Sequence, residues 1–345
     1  MSREVPEENQ HFDLIVVGAG VNGAGIARDA AMRGLRVFLL DKGDLASGTT
    51  SWSSRLIHGG LRYLEHREFG LVRESLRERE RLLKLAPHLV RPLPLVIPIY
   101  HTDRHGPWLI RAGMIAYDLL SFDKSLPRHR MLSRQAALRR VPGLKREGLR
   151  GAARYYDAQI SYAERLAVEN AVDAREHGAT VLTYARADRL LLDEEAHTVL
   201  GITYTDLLNG TVHEVTAPVT INVAGPWVDQ LLIGQQQAGP EPMIGGTKGS
   251  HIIVAPFPGA PRDALYVEAK LDGRPYFIIP WNGLFLIGTT DERYSGDLDH
   301  VVASEAEIEY LIAETNRIIP SAGLCRDSVC YTYAGIRPLP FQARG

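Results

Sequence analysis

Residues 12–44, FDLIVVGAGVNGAGIARDAAMRGLRVFLLDKGD, constrain the fold more than any other part of the chain. The apolar run Leu14 to Val17 reads as a buried strand. Gly18, Gly20 and Gly23 come next in G-x-G-x-x-G order. Ala24, Ile26, Ala27, Ala30 and Ala31 then recur with helical spacing, and Gly34 ends the pattern. A second strand, Leu35 to Leu40, closes on Asp41. This is a βαβ unit in which each glycine has a task. Gly18 permits the tight turn, Gly20 lets the backbone approach a pyrophosphate, and Gly23 lets the helix pack close to the strand. Phosphates favour the helix N-terminus, where Asn22 lies, because its N–H groups and dipole attract negative charge. Asp41 is placed to accept hydrogen bonds from a ribose 2′-OH. Its charge would repel a 2′-phosphate, which leaves NAD and FAD as candidates.

The segment after Asp41 favours FAD. Instead of further βα repeats, the chain enters KGDLASGTTSWSSRLIHGGLRYLEH, residues 42–66. Such a Ser/Thr/Gly loop offers many hydroxyl and N–H donors and suits wrapping a large cofactor. Thr49, Ser51, Ser53 and Ser54 are expected to contact it. Gly59 and Gly60 are expected to let the backbone pass close to a flat ring. His58, Arg62 and Tyr63 would face whatever reacts there, since a cation cluster beside a cofactor fingerprint marks a functional site.

The 345 residues suffice for two domains. A net charge of -2 gives no reason to expect nucleic acid as a partner. Two cysteines, Cys325 and Cys330, are too few for a disulfide framework and read as reduced thiols, as in a cytoplasmic protein. The polar N-terminus lacks a signal-peptide pattern, and no apolar run reaches the ~18 residues of a membrane span. Any membrane contact is therefore expected to be peripheral.

Further along, residues 70–91 read as a charged helix ended by Pro87. Residues 104–122 carry Trp108, Ile110, Met114, Ile115, Leu119 and Leu120, rimmed by Arg104, Arg111, Lys124, Arg128 and Arg130. This pattern suits either a core helix or one lying in a membrane interface. A long helix is expected from about Ser161 to Glu176. Ala224 and Gly225 end a later strand, where small residues permit close backbone approach. From Gly245 the alternation suggests a mixed or antiparallel sheet. His251 is expected to begin a strand there, and Arg337 to lie on a turn between Gly335 and Pro338.

The glycine fingerprint, SSRLIHGGLRYLEH, VAGPWVD, KGSHIIV, IPWNG…IGTTD and YAGIRPL occur in order between residues 12 and 340. Together they resemble the FAD-dependent glycerol-3-phosphate dehydrogenases of the respiratory, quinone-linked type, within the D-amino-acid-oxidase-like flavoproteins. The resemblance implies an α/β fold: a Rossmann-like FAD-binding domain with an inserted mixed or antiparallel-sheet substrate domain. The division expected is residues 1–70, 152–230 and 330–345 for FAD, and 71–151 and 231–329 for substrate. It implies oxidation of sn-glycerol 3-phosphate to dihydroxyacetone phosphate, with a quinone as electron acceptor. Arg62 and Arg337 would clamp the phosphate, because a planar guanidinium binds it through paired hydrogen bonds. Tyr63 would assist, and His58 or His251 would be the base. Ala224 and Gly225 would pass the adenosine side of FAD. Relatives are peripheral membrane enzymes, so residues 104–122 and a place on the cytoplasmic face of the membrane are implied, with a homodimer open.

The family continues beyond the point where this sequence stops. Relatives carry a G-G-K-x-T-T-Y-R segment that closes over the flavin, then a helical domain. The chain is therefore expected to be truncated relative to the family. A related FAD amine or amino-acid oxidase, or a non-catalytic remnant, stands as the alternative.

Overall fold

The computed structural model describes residues 5–6, 10–64, 68–193, 195, 198–232 and 242–341, the side chain of Arg62 excepted. Four short strands, Leu14–Val17, Val37–Leu40, Thr180–Leu182 and Thr220–Asn222, form a parallel sheet. Taken in chain order, they stand third, second, first, fourth in space when the fourth is placed beside the first. The order reverses between the first and fourth strands, and ligands of doubly wound sheets bind at that reversal. The first two strands are fully buried hydrophobic runs, as a sheet covered on both faces requires.

One face is covered by the helices Val21–Met32 and Ala163–Glu176. They meet through buried alanines, Ala24, Ala27 and Ala31 against Ala167, Ala171 and Ala174. Small side chains let two helices and the sheet approach closely without leaving voids. On the other face lies an antiparallel sheet of Ala185–Asp193, Thr198–Asp206 and Val212–Thr216, which buries Phe38 and Leu40 under Ile202 and Tyr204. The sequence predicts strands in this region, but not their pairing into a separate sheet.

The second layer system is a ten-stranded mixed sheet. Its long central strands are Val90–Tyr100 and Leu149–Ile160, and one rim is built from Thr247–Val254 and Val329–Arg337. Among its described pairs, only Ala264–Glu268 beside Val90–Tyr100 is parallel. The helix Glu305–Ile318 covers one face with Ile308, Leu311 and Ile318. The helices Phe69–Leu85 and Pro107–Leu120 cover the other with Val72, Leu76, Met114 and Tyr117. Even-numbered Ile252 and Val254 belong to the first core and odd-numbered Ile253 to the second, which is the alternation of a strand buried on both faces.

Two segments expected with the nucleotide-binding portion are hydrogen-bonded elsewhere. Val329–Arg337 pairs along its length with Thr247–Val254, and Leu149–Ile160 pairs with Val90–Tyr100. Arg337 therefore ends a strand instead of lying on a turn, and His251 sits inside a strand instead of beginning one. Sequence alternation shows a strand but not its neighbour, and register is set by partners far away in the chain.

Candidate functional site

A cavity of about 1240 Å³ opens where the parallel sheet reverses order. Gly18, Gly20, Asn22 and Asp41 line one end, with Ala224 and Gly225 beside them. Gly18 has φ +106°, and a Cβ there would lie 2.6 Å from the Val223 carbonyl oxygen. Only glycine fits that crossing. Gly23 does not line the cavity, and its Cβ would lie 1.8 Å from the Gly18 oxygen, so its role is helix-to-strand contact. Asp41 accepts from the Ala19 N–H at 2.7 Å and the Gly43 N–H at 2.8 Å. Burial nevertheless raises its pKa, the two N–H donors offsetting only part of the desolvation.

The Ser/Thr loop ties this end to the large sheet. Thr50 Oγ1 accepts from the Val21 N–H at 3.0 Å, which caps a helix whose Gly20 has no side chain to do so. Thr49 Oγ1 donates to the Ile336 carbonyl at 2.7 Å, and Tyr333 OH donates to the Ser53 carbonyl at 2.8 Å. Trp52 lies over Gly335 and Tyr333; a Cβ on Gly335 would meet its Cβ at 2.7 Å. Thr49 and Ser53 line the cavity, whereas Ser51 donates to the Ala46 carbonyl and Ser54 turns to His251.

Alternation on the rim strand separates two sets of polar groups. Lys248 and Ser250 face Glu307, at the start of the helix Glu305–Ile318. Burial would raise the Glu307 pKa, but Lys248 at 2.8 Å, together with the Ser304, Thr290 and Ser250 donors, holds it below the usual carboxylate value. Thr247, Gly249 and His251 face the opposite way and stand in register with Arg337, Gly335 and Tyr333. Arg337 donates to Thr289 Oγ1 and the Thr290 carbonyl, each at 3.0 Å, and pairs with Asp291 at 3.2 Å. The absence of a side chain at Gly249 makes room for its guanidinium. His251 is 2% exposed, stacked on Tyr333, with Nε2 2.8 Å from Ser54 Oγ. Its Nδ1 is buried without a partner among the described residues. Burial, then the charges of Arg337 and Arg55, push its pKa down to about 3, so the ring is neutral.

The HGG turn is placed differently. A Cβ on Gly59 would meet Leu76 at 2.4 Å and the Tyr117 hydroxyl at 2.5 Å. Its N–H donates to Tyr117 OH at 2.9 Å, and Tyr117 OH donates to Asp157 at 2.7 Å. Asp157 in turn pairs with the fully buried Arg79. Gly60, at φ +65°, leaves room for the ring of Tyr63. These glycines thus fit the side chains that cover the large sheet. His58 is exposed and accepts from the Gly60 N–H through Nδ1 at 3.0 Å; Tyr63 is exposed as well. The Arg62 side chain lies outside the described residues. Neither His58, Tyr63, Gly59 nor Gly60 lines the cavity.

The profile of the family described as FAD dependent oxidoreductase matches residues 13–344. The chain belongs to that family. It is 55% identical over 350 aligned residues to a glycerol-3-phosphate dehydrogenase of Synechocystis sp., covering 98% of this chain and 63% of the relative. It is 42% identical to glycerol-3-phosphate dehydrogenase 2 of Mycobacterium bovis, over 96% of this chain and 55% of that protein. The solved glycerol-3-phosphate dehydrogenase of Bacillus halodurans complexed with FAD superposes with a TM-score of 0.78 at 29% identity, over 97% of this chain and 58% of that one. The chain thus spans roughly three-fifths of the length of these relatives.

The residues of this family member fit its cofactor. The cavity exceeds the ~300–1,000 Å³ of an ordinary ligand pocket and is lined from the glycine turn to residues 331–336 and 338, with His251 and Arg337 outside its lining. Gly18 and Gly20 keep that turn free of side chains. Trp227 lines the cavity with its Nε1 buried and unpartnered among the described residues. Thr50, Trp52, Trp227 and Tyr333 line the cavity, and Thr289 and Asp291 hold Arg337; the sequence marks the last four only as parts of longer motifs, without a role for each. Tyr333, four residues before Arg337, is one that strand periodicity allows to be found once Arg337 is suspected.

Proposed function

We propose that this chain is the FAD- and substrate-binding portion of an enzyme that oxidises sn-glycerol 3-phosphate to dihydroxyacetone phosphate. The observation that carries the reading is His251 and Arg337 on one face of the rim sheet, joined to the cavity through the Ser/Thr loop. FAD, when bound, supplies the acceptor for the hydride that leaves the substrate carbon. Arg337 offers a planar fork to the phosphate dianion. Thr289 and the Asp291 carboxylate hold that fork in orientation. His251 takes the hydroxyl proton, and it is preferred to His58 because it shares a face with Arg337. A base with a pKa of about 3 is weak; burial is the main cause of the depression and the charge of Arg337 the next. A phosphate dianion on Arg337 cancels the second contribution and makes the ring a better base when substrate is present. The similarity to the named dehydrogenases supports the substrate, and a quinone is proposed as the final acceptor.

The test is a visible spectrum of the flavin-loaded chain before and after anaerobic addition of sn-glycerol 3-phosphate. Bleaching by this substrate and not by amino acids is expected. Bleaching by an amino acid alone would replace the reading with an amine or amino-acid oxidase. Arg337→Ala should raise KM with little loss of flavin.

The helix Pro107–Leu120 favours a membrane-facing surface in the same protein. Met114 and Tyr117 are buried, whereas Trp108 is 80% and Phe122 78% exposed, with Leu109 and Leu119 beside them. Arg111 lies over the Trp108 ring and Arg73 over the Phe122 ring, 5.9 and 4.6 Å from their centroids. An apolar face with a basic rim suits an anionic lipid interface. Among the described residues, no helix is long and apolar enough to cross a membrane. Co-flotation with anionic vesicles, lost in Trp108→Glu, is the expected result.

A further inference from the structure

Residues 294–303 form a strap along the cavity, of which Leu298, Asp299 and Val301 to Ala303 line it. Both ends of the segment are fixed to the rim strand. Glu292–Arg293 pairs with Thr247 and Lys248 before it, and Lys248 Nζ donates to the Val302 carbonyl at 3.3 Å near its end. Its middle is folded around Asp297, which accepts from the Asp299 N–H at 2.9 Å and pairs with His300 at 2.8 Å. Asp299 meets Lys42 at 2.5 Å. Lys42 directly follows Asp41 and lies 4.3 Å from the centroid of the Trp227 ring, at the nucleotide end. Three elements far apart in sequence therefore meet at the cavity: the end of the second parallel strand, the Gly225–Trp227 turn and the strap.

We propose that Lys42 and Asp299 form a latch that closes residues 294–303 over the bound dinucleotide and sets how fast the cofactor enters and leaves. The inference rests on the FAD reading above. The pair is partly exposed, 30% for Lys42 and 51% for Asp299, whereas the strap's anchor, Lys248 paired with Glu307, is buried. An exposed pair of this kind is weak and salt-screened, so the middle of the strap opens while its ends hold. A latch of this strength changes rates without deciding affinity.

The experiment is stopped-flow quenching of flavin fluorescence on adding FAD to the full-length apoprotein, with dissociation followed by competition. Asp299→Asn is expected to raise both association and dissociation rates by about two- to fivefold, with little change in Kd. Wild type in high salt should match the variant, and the exchanged pair Lys42→Asp/Asp299→Lys should recover the slow rates. Unchanged rates in Asp299→Asn would overturn the latch. So would weakened affinity with the association rate unaltered, which would make the pair a direct cofactor contact. If wild type shows no quenching at any FAD concentration, the FAD reading fails and the latch falls with it.

Discussion

Two glycine-bearing turns lie some forty residues apart in this chain, and they use glycine for different neighbours. At Gly18–Gly23 the obstacle is backbone: the Val223 carbonyl against Gly18 and the Gly18 oxygen against Gly23. At Gly59–Gly60 the obstacle is side chain: Leu76, Tyr117 and Tyr63. The first turn borders the cavity and can be read from a local pattern, because strand, turn and helix are contiguous. The second borders a buried polar cluster assembled from the helices Phe69–Leu85 and Pro107–Leu120 and the strand Leu149–Ile160. A glycine pair announces close approach in the sequence, but not what approaches.

The largest effect expected is at the first turn. A Cβ on Gly23 would sit 1.8 Å from a backbone oxygen that no rotamer change can move. Gly23→Val should abolish the folded, flavin-binding chain, and Gly23→Ala should cost about 3 kcal/mol or more in urea unfolding. At the second turn the decisive residue is Asp157. Arg79 is fully buried, with Nε and Nη2 unpartnered among the described residues, so Asp157 is its charge partner. Asp157→Asn leaves that cation uncompensated and should cost roughly 3–5 kcal/mol. The double variant Arg79→Met/Asp157→Asn should recover much of the loss. If it does not, the cluster holds the turn through hydrogen bonds and not through charge.

The two turns also divide what is legible in the sequence from what is not. The βαβ unit, its glycines and Asp41 are legible because strand, helix and strand all lie within residues 12–44. The strand-rich second half and the long helix at Ala163–Glu176 are legible from periodicity. The placement of His251 is not, since its environment is built by Ser54, Tyr333 and Gly288 from three separate segments. Nor is the reason for Gly59, whose contacts come from residues 76, 117 and 157. Around Arg337, the flanking Gly335 and Pro338 signal a turn locally; pairing with Thr247–Val254 overrides that signal and extends the strand.

Histidines sharpen the same contrast. His58 belongs to the second turn and is exposed, whereas His251 is buried beside the Ser/Thr loop. Its folded-state pKa of about 3 lies below the ordinary histidine value of 6.5. The unfolded chain therefore binds more protons between those values. Stability from the buried neutral ring is complete above pH 6.5 and is lost as the pH falls towards 3. The limb should amount to roughly 3–5 kcal/mol, and His251→Gln should flatten it. Urea midpoints between pH 7 and pH 4 check this. A limb that persists in the variant would place the acid-sensitive group elsewhere, in the carboxylates of the large sheet.

The smallest effects separate the turns most directly, because each variant tests one property that the other should spare. A Cβ on Gly20 meets only Thr50 Oγ1, at 3.3 Å, and φ of −68° suits alanine. Gly20→Ala should change stability by less than about 1 kcal/mol. Its methyl projects into the cavity, and if the pyrophosphate passes Gly20 as the fingerprint implies, flavin affinity should fall by about tenfold. Gly59→Ala meets Leu76 and Tyr117, side chains that shift at a cost of about 1–3 kcal/mol, while the cavity is untouched. Flavin titration and urea unfolding of both variants give a two-by-two result. Loss of flavin affinity in Gly59→Ala would bring the HGG turn into contact with the cofactor and restore the reading the sequence suggests. Loss of stability alone would leave its glycines as packing residues.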